Sequence, residues 1–308
     1  MSPEMKDHTP PATPVDAATV ILLRETPAAN PFELLLMRRH ARQRFMGKAF
    51  VYPGGQLDDA DCNPALAAFA DGITAEVAKQ RLNEPDLPDE KALGLLFAAV
   101  RETFEESGVL LAGSTSGKEL DFTDQNVRSR FAEYRTMIHQ QEMTLEDLAK
   151  KEGLFFKLNE LRPYAHWVTP EAERKRFDTR FFLASMPTGQ KPAHDSMEMT
   201  ETLWTTPRKA FSKHNAGEIL LMPPTLKTLE EMACRSSVAE LLSCASSATI
   251  RTIMPQISSD GDSIIIKFPH DPEYTIAELK QPHRPEEISR IVFRDGRLEA
   301  IKFGDHLK

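Results

Sequence analysis

The chain has 308 residues, 41% of them hydrophobic and 27% charged, with 38 Lys plus Arg against 46 Asp plus Glu. A chain this long buries a full core without staples and divides into one large domain or two small ones. The net charge of −8 argues against nucleic acid as a partner, and no apolar run approaches the roughly 18 residues of a spanning helix, which excludes a membrane protein.

Residues 1–15 carry prolines at 10, 11 and 14, lack the basic-then-apolar layout of a signal peptide, and read as a disordered tail. Residues 18–24 and 32–38 are apolar, branched-rich runs that predict two strands of one sheet, joined by a Pro/Asn linker over 26–31. Phe50-Val51-Tyr52 is a third short strand, stopped by Pro53-Gly54-Gly55. Residues 62–90 are alanine-rich and broken at Pro85 and Pro88, which predicts short helices in an insertion. A strong helix spans Asp89–Ser107, with Gly108 at its C′ position. A strand is expected at 109–111 and helix over 123–152, with Phe131, Tyr134, Met137 and Ile138 on one side. Strand character returns at 164–169, Phe177–Ser185 and 202–206, and an amphipathic helix follows at 223–234. Residues 250–253, 263–268, 288–293 and 298–303 read as strands, with Asp295-Gly296 as a hairpin turn between the last two. The expected organisation is a main domain over 16–245, its insert at about 62–90, and a β-rich appendage over 246–308. Cys62, Cys234 and Cys244 are far apart and form no CxxC pair, which fits a reducing compartment, the cytoplasm.

The helix at 89–107 carries the chemistry. At about 100° per residue Glu102, Glu105 and Glu106 share one narrow arc, opposite Leu93, Leu96, Phe97, Val100 and Phe104. Ala98 and Ala99 flank the arc and predict a low surface that a ligand approaches closely. Like charges at i, i+3 and i+4 each cost roughly 0.2–0.5 kcal/mol. Arg101 reaches Glu105 at i+4 but not all three, and no lysine shares the face. A hard divalent cation such as Mg²⁺ or Mn²⁺ would relieve the repulsion, because both prefer oxygen ligands. Taken alone, a solvated acidic face gives the same pattern.

The surrounding residues narrow the choice. Arg101-Glu102-Thr103-Phe104-Glu105-Glu106-Ser107-Gly108-Val109 resembles the second half of the box of the Nudix hydrolases, with Thr103 in an apolar position. The first half starts at Gly55, and five residues on stands Asp61 where the family has Glu. Asp61 and Arg101 are 40 positions apart where the family has 8, so an insert of 32 residues splits the box. A subgroup that includes the peroxisomal coenzyme A diphosphatases of the Nudix motif 19 type carries an insert at this place. His166-Trp167-Val168-Thr169-Pro170-Glu171, Arg176-Phe177-Asp178-Thr179-Arg180-Phe181-Phe182, Trp204-Thr205-Thr206-Pro207 and Leu221-Met222-Pro223-Pro224-Thr225 are similar to that subgroup as well.

The resemblance implies a Nudix α/β/α sandwich with a mixed sheet, helical insertions and a small C-terminal β appendage. It implies metal-dependent hydrolysis of a diphosphate in a small nucleotide derivative, with Mg²⁺ or Mn²⁺ held by Glu102, Glu105, Glu106 and Glu198. Glu102, Glu105 and Arg101 take the catalytic roles, and Arg101 orients the carboxylates. Gly54 and Gly55 let the loop bend close to the helix. Glu201 lies near Glu198 and ranks behind it as a further carboxylate. Arg38, Arg39, Arg42, Arg44 and Lys48 crowd eleven positions before the Pro-Gly-Gly loop and offer charge-assisted contacts to phosphates; of these, Arg38, Arg42 and Arg44 fit loosely a pattern of coenzyme A-cleaving members. The leading substrate is coenzyme A or acyl-CoA, giving 3′,5′-ADP and a phosphopantetheine. ADP-ribose or a dinucleotide is the alternative, and a ligand sensor without turnover is a third, disfavoured by the intact carboxylates. A homodimer is left open. His40, His166, His194, Trp167 and Trp204 read as structural.

Overall fold

The computed structural model describes residues 10–26, 32–41, 47–117, 120–195 and 198–303. In chain order, β1 (Val15–Glu25), β2 (Phe32–Arg39), β3 (Ala49–Val51) and β4 (Gly54–Gln56) precede two 3-10 helices, Asp59–Cys62 and Pro64–Phe69. Then come α1 (Ala75–Leu82), α2 (Asp89–Ser107), β5 (Ala112–Ser114), α3 (Gln125–His139), α4 (Leu145–Glu152) and β6 (Leu154–Phe156). β7 (Arg162–Val168), β8 (Phe177–Ser185), β9 (Met199–Thr205), α5 (Pro207–Asn215), β10 (Leu220–Leu221), α6 (Pro223–Met232) and α7 (Val238–Ser247) complete the larger part. β11 (Thr252–Ile253), β12 (Gln256–Asp260), β13 (Ser263–Lys267), β14 (Ile288–Arg294) and β15 (Arg297–Lys302) follow.

β1 is apolar almost without interruption because both of its faces are covered. It runs parallel to β8 and antiparallel to β2 and β4, near the middle of a nine-stranded mixed sheet ordered β10-β3-β2-β1-β8-β7-β11, with β9 on β2. The strand period of 2 splits its residues between two cores. Val20, Leu22, Leu35 and Met37 meet α2 and the insert on one face. Ile21, Leu23, Leu34 and Leu36 meet α6 and α7 on the other. The result is helix, sheet, helix.

α2 ends at Gly108, whose φ of 70° is left-handed and whose N–H bonds the Phe104 carbonyl at 2.8 Å. The insert is a packed part of the domain: Leu66, Ala78 and Leu82 enter the α2 core, and Arg180 of β8 pairs with Glu84 at 2.5 Å. Residues 109–111, expected as a strand, are buried without being one; the strand is β5, three residues later. β12 to β15 form a separate antiparallel sheet, while β11 joins the main sheet beside β7. Phe268, Ile288 and Ile291 share a core with Leu226 and Leu229 of α6. The hairpin at Asp295-Gly296 has φ of 51° and 76°, as a type I′ turn requires. Among the described residues no helix is long and apolar enough to cross a membrane. The expected tail lies largely outside the described residues, and Val15 already belongs to β1.

Candidate active site

Glu102, Glu105 and Glu106 line one cavity of about 790 Å³, bordered also by Gly54 and Gly55. The two glycines lie hard against the helix. The Gly54 N–H donates to Glu106 Oε2 at 2.9 Å, and a Cβ on Gly55 would stand 2.4 Å from the Glu102 carboxyl. Any side chain at Gly55 therefore collides with the acidic arc. Ala98 and Ala99, expected beside an open surface, are wholly buried; their small size serves packing, and the close approach comes at the glycines instead. Thr103 fits its apolar position because its hydroxyl is spent on the Ala99 carbonyl at 2.7 Å.

Arg101 is the hub. Its Nε and Nη2 grip Asp61 at 2.9 and 2.8 Å, its Nη1 reaches Glu102 and Glu105 at 2.9 Å each, and Nη2 donates to the Gln56 carbonyl at 2.8 Å. Burial works against this guanidinium, but Asp61, Glu102 and Glu105 outweigh it and hold its pKa above the ordinary value. Asp61 thus does more than stand in for a box Glu: it is the buried anchor of Arg101. Gly94 makes room for it, since a Cβ there would lie 2.7 Å from Cys62 Sγ. Arg135 of α3 closes the helix end, donating to the carbonyls of Glu105 and Glu106 at 2.7 Å each.

Burial pushes the Glu102 carboxyl up to about 7, with Arg101 opposing and Glu105 adding to the rise. Burial and the neighbouring Glu102 push Glu106 far above the usual carboxylate range, against the Gly54 N–H and the Arg39 guanidinium.

Glu198 borders the cavity and adds to the field on Glu106. Glu201 does not; it pairs with Arg38 across β2 and β9 at 3.5 Å. Arg38 therefore lies away from the cavity, and its neighbour Arg39 borders it instead. Alternation from Leu35 and Met37 places Arg39 on the α2 face and is the signal that sequence reasoning passed over. Arg42 and Arg44 lie outside the described residues. His139 Nδ1 is 3.3 Å from Glu105 Oε2, a contact with no sequence signal beyond its place four residues after Arg135 on α3. Lys175, Thr179 and Asp195 complete that wall. His166 bonds Asp178 and Thr252, and Trp204 lies under the Arg24 guanidinium at 4.1 Å.

A family model described as the NUDT19 Nudix domain matches residues 12–232. The chain belongs to the Nudix hydrolase family. It is 27% identical to human acyl-coenzyme A diphosphatase NUDT19 over 280 residues, covering 80% of this chain and 74% of that one. It is 26% identical to the Gallus gallus protein of the same name, covering 91% and 86%. Among solved structures it resembles a Nudix hydrolase from Alicyclobacillus acidocaldarius at 25% identity and a TM-score of 0.59, covering 77% of this chain and 97% of that one.

Nudix hydrolases generally use divalent metal ions. Among the described residues no three His, Cys, Asp or Glu side chains converge into a ready cage. The donor set nevertheless fits a hard cation. Glu102, Glu105, Glu106 and Glu198 border one cavity together with Asp58 and Asp195, and Glu102 and Glu106 have pKa values raised by burial and mutual repulsion. A divalent charge among oxygen donors removes that cost. Arg101 engages only Oε1 of Glu102 and of Glu105; Oε2 of Glu102 is left for a cation, and Oε2 of Glu105 faces His139 Nδ1.

Proposed function

We propose that this Nudix hydrolase cleaves the diphosphate bond of coenzyme A derivatives, acyl-CoA above all, giving 3′,5′-ADP and an (acyl-)phosphopantetheine. The observation that carries the chemistry is the acidic wall of α2, held in one cavity under Gly54 and Gly55 by an Arg101 that Asp61 anchors. The substrate class rests on the relatives that bear the name acyl-coenzyme A diphosphatase.

Glu102, Glu105, Glu106 and Glu198 are assigned to Mg²⁺ or Mn²⁺. Bound there, the ion would neutralise diphosphate oxygens and lower the pKa of water. Arg101 fixes the rotamers of Glu102 and Glu105, so that little reorganisation remains when substrate arrives. The Gly54 N–H holds Glu106. Arg39, whose Nε has no hydrogen-bond partner, is assigned to a phosphate oxygen at the cavity edge. Arg42 and Arg44 are kept, on the sequence pattern alone, for the 3′-phosphate. The three unpaired cysteines support a reducing compartment such as the cytoplasm.

The test is a panel of acyl-CoA, CoA, ADP-ribose and NADH incubated with purified protein and Mg²⁺ or Mn²⁺, with products resolved by chromatography. Release of 3′,5′-ADP from the CoA compounds is expected. Turnover confined to ADP-ribose or NADH would move the assignment to those substrates.

A further inference from the structure

The carboxylate cavity does not end at the diphosphate. Thr19, Arg39, Gly54, Phe177 and Thr179 border both it and a second cavity of about 490 Å³, so the two adjoin at a neck of these five residues. Beyond the neck the chemistry changes. Val51 and Phe181 of the main sheet, with Tyr52 just past β3, form one side, Met222 and Pro223 at the start of α6 another, and Ile257 and Ile266 of the C-terminal sheet a third. Arg39, at the neck, and Glu173 are the charged residues among the described lining.

We propose that this chamber binds the acyl-pantetheine arm of the substrate and that the C-terminal sheet, by walling it, sets the preference for acylated over free coenzyme A. The inference rests on the coenzyme A reading above. A cavity that passes from carboxylates and an arginine to aliphatic and aromatic walls matches a ligand with a diphosphate at one end and a thioester chain at the other. The terminal ribose of ADP-ribose would lose its water there to surfaces that return few hydrogen bonds. The volume lies within the range of pockets that enclose small ligands. A buried donor on the chamber wall, Trp167 Nε1, has no hydrogen-bond partner. The amide and thioester carbonyls of an acyl-pantetheine arm are acceptors of the kind this donor lacks.

The register of the C-terminal sheet extends the argument. Ile257 pairs with Ile266, Ile266 with Ile291, and Ile264 with Phe293. With side chains alternating, these residues share one face. Ile291 is buried in the core, Ile266 borders the chamber, and Ile264 and Phe293 emerge 43% and 38% exposed. An apolar strip thus runs from the chamber towards solvent, where a longer chain can continue.

The experiment has two readouts. In a Trp204→Phe background Trp167 is the one remaining tryptophan, and its fluorescence reports S-octanoyl-pantetheine, which has neither nucleotide nor diphosphate. The second readout is the ratio of kcat/KM for octanoyl-CoA to that for CoA, in the natural chain, in Ile266→Asn and in the chamber-filling Ile257→Phe. Each buried methylene is worth roughly three- to fourfold in affinity, so the natural ratio is expected to reach at least about ten. In both variants it should fall towards one, and saturable fluorescence change should be lost. A natural ratio near one, or variants that lower both substrates equally and leave the ratio standing, would overturn the chamber while leaving the coenzyme A reading intact. Octanoyl-pantetheine binding without cleavage of any CoA compound would overturn that reading and leave the chamber standing.

Discussion

Asp61 and Glu106 are both buried carboxylates at the site, and they are expected to respond oppositely to neutralisation. Asp61 grips Arg101 through two oxygens. Asp61→Asn leaves a buried guanidinium without its main counter-charge and should cost about 3 kcal/mol or more of stability, read in a denaturant melt. Glu106 has no such partner, and burial disfavours its charge. Glu106→Gln keeps an acceptor for the Gly54 N–H, so the metal-free protein should melt no lower than the natural one. Its kcat should nonetheless fall by at least about a hundredfold. A lower melting temperature for this variant would make Glu106 a structural group. Gly55→Ala is expected to lose activity too, since its Cβ would meet the Glu102 carboxyl. At this scale the carboxylate arc was legible because helical spacing alone sets it. Asp61 and Arg101 could be matched only through the split box, because 40 residues separate them. Arg39 was passed over for Arg38, although strand alternation distinguishes the two.

At the scale of elements, α2 and β8 were read to the residue, since one is long and capped by Gly108 and the other holds the apolar run Phe181-Phe182-Leu183-Ala184. α5 and α7 escaped because both are short and carry only a Pro or Ser signal at their starts. β12, Gln-Ile-Ser-Ser-Asp, has one apolar residue and becomes a strand through pairing with β13. The connection between β13 and β14 also holds a titrating group. His270 is buried beside the Asp271–Arg290 pair, and its Nε2–H donates to the Ile288 carbonyl at 2.9 Å. Burial, aided by Lys227, pushes its pKa down to about 4. The unfolded chain therefore binds this proton more readily, so stability is fully present above about pH 6.5 and is lost as pH falls towards about 4. Between about pH 7 and pH 5.5 this group should remove about 1 kcal/mol. His270→Asn should flatten that part of the melting profile; an unchanged pH slope would place the titration elsewhere.

Across the molecule, two cores lie on opposite faces of one mixed sheet. The α2 core fixes the acidic wall, and the α6 core carries the C-terminal sheet. The order of strands was not legible in the sequence, because the β1–β8 pairing is set by long-range packing and not by any local pattern. The insert belongs to the first core, so deletion of 62–90 should lower stability sharply, by removing Leu66, Ala78 and Leu82 and so uncovering the α2 core, and by leaving the buried Arg180 without Glu84. A melt of the deleted chain that matches the natural one would refute this. The central claim is that the α2 carboxylates act through a divalent cation. It is tested most directly by measuring acyl-CoA turnover after exhaustive chelation and then during titration with Mn²⁺, in the natural chain and in Glu106→Gln. The account predicts no turnover in chelator, full recovery with metal in the natural chain, and none in the variant. Undiminished turnover in chelator, or full recovery in Glu106→Gln, would contradict it.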